Sequence, residues 1–156
     1  MRFIRIAGIA GVAAGMMMAG IGAAQVAIDP AIKARQAAMQ LYAYNLGQLG
    51  AMAKGTVEYD AAAASRAADN LMVMLQLDQS AMWPPGTDSD NVFETAAKPE
   101  IWANFPDVSG KMKALNEAAS VMQAAAGTDL ASLQAAMGNV GGACSACHKA
   151  YRVPQN

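Results

Sequence analysis

Seven residues near the C-terminus, Leu130, Leu133, Met137, Val140, Cys144, Cys147 and Tyr151, follow one another at spacings of 3, 4, 3, 4, 3 and 4. That rhythm places them along one face of an α-helix. The inward face of such a helix normally carries aliphatic side chains. Here it also carries both cysteines of the chain, within the run CSACH at 144–148. His148, the chain's one histidine, comes four residues after Cys144 and shares that face. Any fold for this chain must bury a helical seam and leave two thiols and an imidazole together on it.

Three further helical stretches precede this one, with no convincing strand. The first runs from about Asp29 to Ala53, with Asp29 as cap, Pro30 at the first helical position and Gly55 as its stop. Ile32, Met39, Leu46, Leu49 and Met52 mark its apolar face. The second runs from about Asp60 to Leu77 and places Ala64, Ala68, Leu71 and Leu75 in a row. Its alanines favour helix and let a neighbour approach closely. Pro84, Pro85 and Gly86 then exclude helix, and the stretch to Ala97 reads as a long surface connection. The third helix starts near Lys98 and Pro99, with a heptad seam of Ile101, Phe105, Val108, Met112, Leu115, Ala119 and Met122. Pro106 interrupts it, and because the periodicity continues across the proline we expect a kink there. Gly127 closes it, and Thr128 is expected to cap the fourth helix, with Asp129 in its first turn. Gly138, Gly141 and Gly142 remove bulk before the cysteines, where a large flat group can pack. The expected fold is all-α: an antiparallel up-down-up-down four-helix bundle with one long loop between helices 2 and 3.

The N-terminus is expected to lie outside that domain. Arg2 and Arg5 precede an uncharged apolar run, and Gly22-Ala23-Ala24 offers a small-residue cleavage site. Residues 1–24 therefore read as a secretory signal peptide, leaving 25–156 as one domain in an oxidising, periplasmic compartment. The alternative is a retained anchor, since the uncharged run is long enough to span a bilayer. Without Arg2 and Arg5 the chain keeps nine Lys and Arg against twelve Asp and Glu. It has no basic patch, so nucleic acid is not an expected partner, nor is a membrane after cleavage.

CSACH admits three chemistries. A bare CxxC disulfide or redox pair leaves His148 without a purpose and usually sits beside a βαβ pattern, which is missing. A zinc site made of two thiolates and one imidazole is one ligand short. Covalent haem uses all three groups: each thiol adds across a vinyl group, and the adjacent histidine meets the iron. Cysteines at i and i+3 reach two neighbouring vinyl groups from one helical face. With one histidine, the iron's sixth position is open or held by a non-histidine group such as a methionine. Met39, Met52, Met72, Met74, Met82, Met112, Met122 and Met137 are available, and most are core filler.

The whole stretch after the signal resembles the class II cytochromes c, and within them cytochrome c′. CxxCH followed by Tyr151 and Arg152 carries the resemblance, with KARQAAM (33–39), AKG…YDAA (53–62), WPPGTD (83–88) and AKPEIW (97–102). The resemblance implies thioethers at Cys144 and Cys147 and His148 as axial ligand of a single haem c. It places Arg35 and Gln36 at the haem edge, where a guanidinium can pair with a propionate. It sets Met39 over the distal face, either as a bulky non-ligating cap or as the sixth ligand. Arg152 falls near the proximal side, or serves only as a cation at a helix C-terminus. A polar or acidic group that relatives keep two residues before the lysine of the KPEIW-like stretch is Ala96 here, with Thr95 as its substitute.

Tyr42, Tyr44, Trp83, Trp102 and Tyr151 are expected to pack, Trp102 and Tyr151 against the porphyrin edge. The implied function is binding of a diatomic gas such as NO or CO in a hydrophobic distal pocket, one-electron transfer, or both. The alternative is a low-spin carrier ligated by Met39. A haem-free helical interaction module with a CxxC disulfide is the third reading. No acid–base pair or nucleophile triad points to an enzyme. Expected partners are a gas molecule or a redox protein, and a second copy of the chain through helices 1 and 2.

Overall fold

A computed structural model describes residues 29–154; the signal peptide and cleavage site expected at 1–24 lie outside them. Five α-helices make up the described chain: α1 (Pro30–Ala53), α2 (Ala61–Leu75), the short α3 (Glu100–Ala103), α4 (Phe105–Ala125) and α5 (Leu130–Tyr151), with one 3-10 turn at Ser80–Met82. No strand occurs among the described residues, only an isolated antiparallel bridge between Ala97 and Arg152. The long helices pack in the ring α1–α2–α4–α5–α1. Cross-links fix their directions. Tyr42 Oη donates to Met74 O and Asn70 Nδ2 to Asn45 Oδ1, so α1 and α2 run antiparallel. Gln134 Nε2 reaches Ala53 O, and Tyr151 Oη donates to Asp107 Oδ2, which sets α5 antiparallel to α1 and α4. This is the up-down-up-down bundle.

Local chemistry sets most helix ends. The carboxylate of Asp29 accepts from Ala31 N, and that of Asp60 from Ala63 N, each satisfying a donor the first turn leaves unpaired. Gly55, at φ 71°, turns the chain out of α1.

Two expectations about boundaries are corrected. Asp129, not Thr128, caps α5: its backbone is extended and its carboxylate accepts from Ser132 N at 2.8 Å. Pro106 does not kink a continuous helix. Asn104 leaves the helical region at φ −129° and ψ 48°, ending α3 and beginning α4, so the helix splits. Pro106 then stands in the first turn of α4, where its missing N–H costs nothing because those donors have no intrahelical partner.

The core divides along the bundle axis. Leu49, Met52, Ala64, Ala67, Ala68, Leu71, Ala119, Met122, Ala126, Leu133, Ala136 and Val140 are buried in one cluster. Towards the C-terminus of α5 the same seams open. Ile101, Val108, Met112 and Leu115 are half-buried, Phe105 is 66% exposed and Met39 is 37% exposed. Tyr44, expected to pack, is 67% exposed, because α1 turns that side outward.

Candidate haem-attachment site

The open end of the seam is where the cysteines stand. Cys144 and Cys147 form no disulfide with each other and stand half-buried on α5. Cys144 packs against the buried cluster and lines a small apolar cavity of about 30 Å³ with Leu46, Leu115 and Val140. His148 follows at the exposed rim. Burial pushes both thiols above their ordinary pKa. The neighbouring Cys147 adds to the shift at Cys144, whereas Lys111 opposes the shift at Cys147. Partial desolvation, with Arg152 nearby, holds the His148 imidazole below its ordinary pKa and favours the neutral, metal-binding form.

A Cβ at Gly138, Gly141 or Gly142 would meet nothing within 4 Å, and all three are exposed. Gly141, seven residues before His148, shares its helical face and leaves open space there. At 100° per residue, Gly142 lies about 160° around the helix from Cys144, on the outer face.

The end of α5 is tied down on two sides. Tyr151 Oη donates to Asp107 Oδ2 at 2.7 Å, and Lys111 Nζ lies 3.4 Å from the same carboxylate oxygen. Hydrogen bonding to Asp107 pushes the Tyr151 phenol up to about 12 and holds Asp107 below the usual carboxylate range. From the other side, Lys98 N donates to Tyr151 O at 3.0 Å and Val153 N to Ala96 O at 2.9 Å.

The 76–99 connection is not the surface loop its composition suggests. Thr87, Asp88 and Thr95 are buried. Arg35, only 3% exposed, reaches into it from α1. Its Nη1 donates to Thr87 Oγ1 at 2.7 Å and Met82 O at 3.2 Å; its Nη2 donates to Thr95 Oγ1 at 2.8 Å and to Thr87 O. The guanidinium carbon lies 4.9 Å from the Trp83 ring centroid and 6.0 Å from that of Trp102. Trp102 Nε1 donates to Trp83 O, which ties the two indoles together. Gln36 Nε2 donates to Glu94 O. Arg35, Gln36 and Thr95 thus meet at the connection, which joins the end of α5 beside Arg152. Met39 stands one turn along α1 from Arg35. Thr87 and Trp83 carry the Arg35 contacts and were not singled out as site residues; WPPGTD was the signal available for them.

These residues suit a haem. Two thiols at i and i+3 and an imidazole at i+4 share one helical face, beside an apolar seam that polypeptide covers only in part. A flat, mostly apolar group tethered at both sulfurs matches that surface and that donor set.

Comparison with known proteins agrees. The cytochrome c′ family model matches residues 30–152. Cytochrome c-554 of Cereibacter sphaeroides is 43% identical over 125 residues, covering 80% of this chain and 82% of that protein. The solved cytochrome c′ from Rhodobacter Spheriodes superposes with a TM-score of 0.79 at 41% identity, over 80% of this chain and 96% of that one. Cytochrome c′ from Alcaligenes xylosoxidans, solved as a ferrous variant with bound NO, gives a TM-score of 0.70 at 35% identity, over 80% and 94%. The chain belongs to the cytochrome c′ family and is a monohaem c-type cytochrome whose cofactor is covalent haem c.

Proposed function

We propose that Cys144 and Cys147 carry the haem thioethers, that His148 is the axial iron ligand, and that the protein binds a small uncharged diatomic such as NO or CO. Haem iron supplies reversible ligand binding or one-electron exchange. One observation carries the reading: both thiols and the sole imidazole stand where the bundle's apolar seam, from Met39 across to Leu115, is only partly covered by polypeptide. The chain's part is to tether at two sulfurs, to hold a neutral imidazole at the rim, and to surround the site with apolar side chains. Such a surface admits uncharged diatomics and disfavours charged ligands, because an unpaired charge is costly to desolvate. The NO-bound relative supports the same class of ligand.

A second reading, one-electron transfer with Met39 as sixth ligand, is favoured by the place of Met39: on α1, one turn from Arg35 and outside the closed core. Neither reading needs turnover of an organic substrate. Export to the periplasm is part of the proposal, supported by the charge and small-residue pattern of 1–24. No helix among the described residues is long and apolar enough to cross a membrane. Pairing of two copies through α1 and α2 is supported by Leu41 and Tyr44 on α1 and Val73 on α2, which are exposed. Sedimentation equilibrium checks it.

Intact mass and an optical spectrum test the proposal. The expected product weighs one haem more than the polypeptide and shows high-spin bands, unchanged in Met39→Ala. A weak ferric band from iron–sulfur bonding, lost in Met39→Ala, would establish the second reading instead. A polypeptide of unmodified mass, matured where cytochromes c assemble, would overturn both.

A further inference from the structure

We propose that Arg35 is a positioning residue for His148, acting through Thr95 and the end of the 76–99 connection. The inference rests on His148 as the haem's ligand.

The geometry begins with a full set of bonds. All four Nη protons of Arg35 are engaged, with Thr87 Oγ1, Thr87 O, Met82 O and Thr95 Oγ1 as acceptors. Thr87 Oγ1 itself donates to Pro84 O at 2.7 Å, so its lone pairs face the guanidinium. Two indoles stand over the cation, at 4.9 and 6.0 Å. Burial lowers the Arg35 pKa, while Asp29 and Asp88 oppose that shift. A planar fork with two parallel pairs of donors fits this set of acceptors; a lysine offers no such fork. The Nε proton remains for a haem carboxylate, the pairing implied by family resemblance, while the four Nη protons serve the connection.

What the fork holds leads to the histidine. Thr95 Oγ1, gripped by Nη2, also accepts from Ala97 N at 3.2 Å. Ala97 forms the antiparallel bridge to Arg152. On either side of that bridge, Lys98 N donates to Tyr151 O and Val153 N to Ala96 O. Arg152 N closes on His148 O at 3.1 Å, as the last hydrogen bond of α5. An unbroken chain of hydrogen bonds and backbone therefore runs from α1, across the connection, to the turn that carries the imidazole. At its head stands a charge-assisted bond, Arg35 Nη2 to Thr95 Oγ1, with the same guanidinium pinned by two further bonds to Thr87. The chain ends on the main-chain carbonyl of His148, so it fixes the backbone from which the imidazole leaves the helix.

The test uses the haem-loaded protein and three variants: Thr95→Val, which removes the acceptor while keeping the shape; Thr95→Ser, which restores it; and Arg35→Lys. Two readouts are taken: amide hydrogen exchange at Lys98 and Val153, and the electron paramagnetic resonance g values of the ferric haem. Losing one hydrogen bond corresponds to about three- to tenfold in an opening equilibrium. We expect exchange at both amides to speed up by about that factor in Thr95→Val and Arg35→Lys. The g values should move in both variants, and Thr95→Ser should return both readouts to those of the wild type. Exchange at Met122, in the closed end of the core, should stay unchanged. Faster exchange with unmoved g values would make Arg35 an anchor of the connection alone and overturn the inference. Unchanged exchange would do the same. Should Arg35→Lys fail to fold, the Thr95→Val and Thr95→Ser pair decides. A wild-type protein without haem is recognised by mass before any variant is made; it overturns the functional reading, and the inference falls with it.

Discussion

The division of the core into a closed and an open end makes a quantitative prediction. Leu133 on α5 is 0% exposed and belongs to a cluster of fourteen buried residues, six of which are alanines. Leu133→Ala removes three carbons from the middle of that cluster. Alanines have no side-chain freedom with which to swing into the space, although Met52 and Met122 can fill part of it. Leu→Ala in a buried site costs about 2.7–5 kcal/mol, depending on how far the surroundings collapse. With alanine neighbours that cannot move and methionines that can, about 3–4 kcal/mol is the reasoned value. At a urea dependence of about 2 kcal/mol per molar, the midpoint should fall by about 1.5–2 M. Far-ultraviolet circular dichroism during urea unfolding reads this directly. The visible spectrum should not change, because Leu133 is about three helical turns from Cys144. Leu115→Ala is the contrasting variant. Leu115 is half-buried and lines the cavity beside Cys144, so its loss should cost about half as much and should shift the haem bands. A midpoint shift below about 0.5 M for Leu133→Ala would refute the reasoning, since that is near 1 kcal/mol, well under the least that a buried Leu→Ala costs. So would a Leu133→Ala protein with altered haem bands beside an unaltered Leu115→Ala.

Two more expectations follow from single contacts. The Tyr151 phenol is raised to about 12 by its bond to Asp107, against about 10 in an unfolded chain. A raised pKa means that stability is fully present below pH 10 and is lost as pH rises through 12. Alkaline unfolding followed by circular dichroism should therefore be less steep between those values in Tyr151→Phe than in wild type; identical profiles would show that the bond does not contribute. Gly127, just past α4, stands against α2: a Cβ there would overlap the Ser65 hydroxyl. Gly127→Ala should lower the thermal midpoint, and Ser65→Ala in the same chain should recover most of the loss, since the remaining contacts, to Ala61 O and Ser65 Cβ, are 3.4 Å. Equal losses in the presence and absence of Ser65 would exclude the overlap as cause.

Local rules made much of this fold readable. The Asp60 cap and the row Ala64, Ala68, Leu71, Leu75 are local signals, and the structure uses them as written. The seam of α5 was readable for the same reason, down to the half-buried cysteines. Periodicity failed at Asn104. Spacings of 3 and 4 in the sequence carry on across a single non-helical residue and so do not reveal it. Thr128 and Asp129 are both good caps and neighbours in sequence. Only the backbone, extended at Asp129, tells them apart. The connection was misread for a deeper reason. Thr87, Asp88 and Thr95 are polar, and polarity reads as surface. The two threonines are buried because Arg35, 52 residues before Thr87 and 60 before Thr95, brings a cation that needs acceptors, while Asp88 is satisfied locally by Asp90 and Asn91. Pairing over that distance leaves no period in the sequence.

The disagreement between pattern and burial along α4 carries information of its own. Heptad spacing reports which residues point inward; burial reports how much polypeptide meets them. On α2 the two agree at all four positions of the row. On α4 they agree at Ala119 and Met122 and part from Leu115 back to Phe105, where inward-spaced apolar side chains are half-buried or exposed. An apolar face kept at inward positions over three turns is expensive to leave in water, at about 25 cal/mol for each Å². The same end of the bundle presents Cys144, Cys147 and His148 on the facing helix α5, and Arg35 with its threonine acceptors beyond it. Polypeptide packing explains the closed end and not the open one. A tethered porphyrin accounts for the apolar face, the two thiols and the imidazole together, whereas a disulfide would account for the thiols alone.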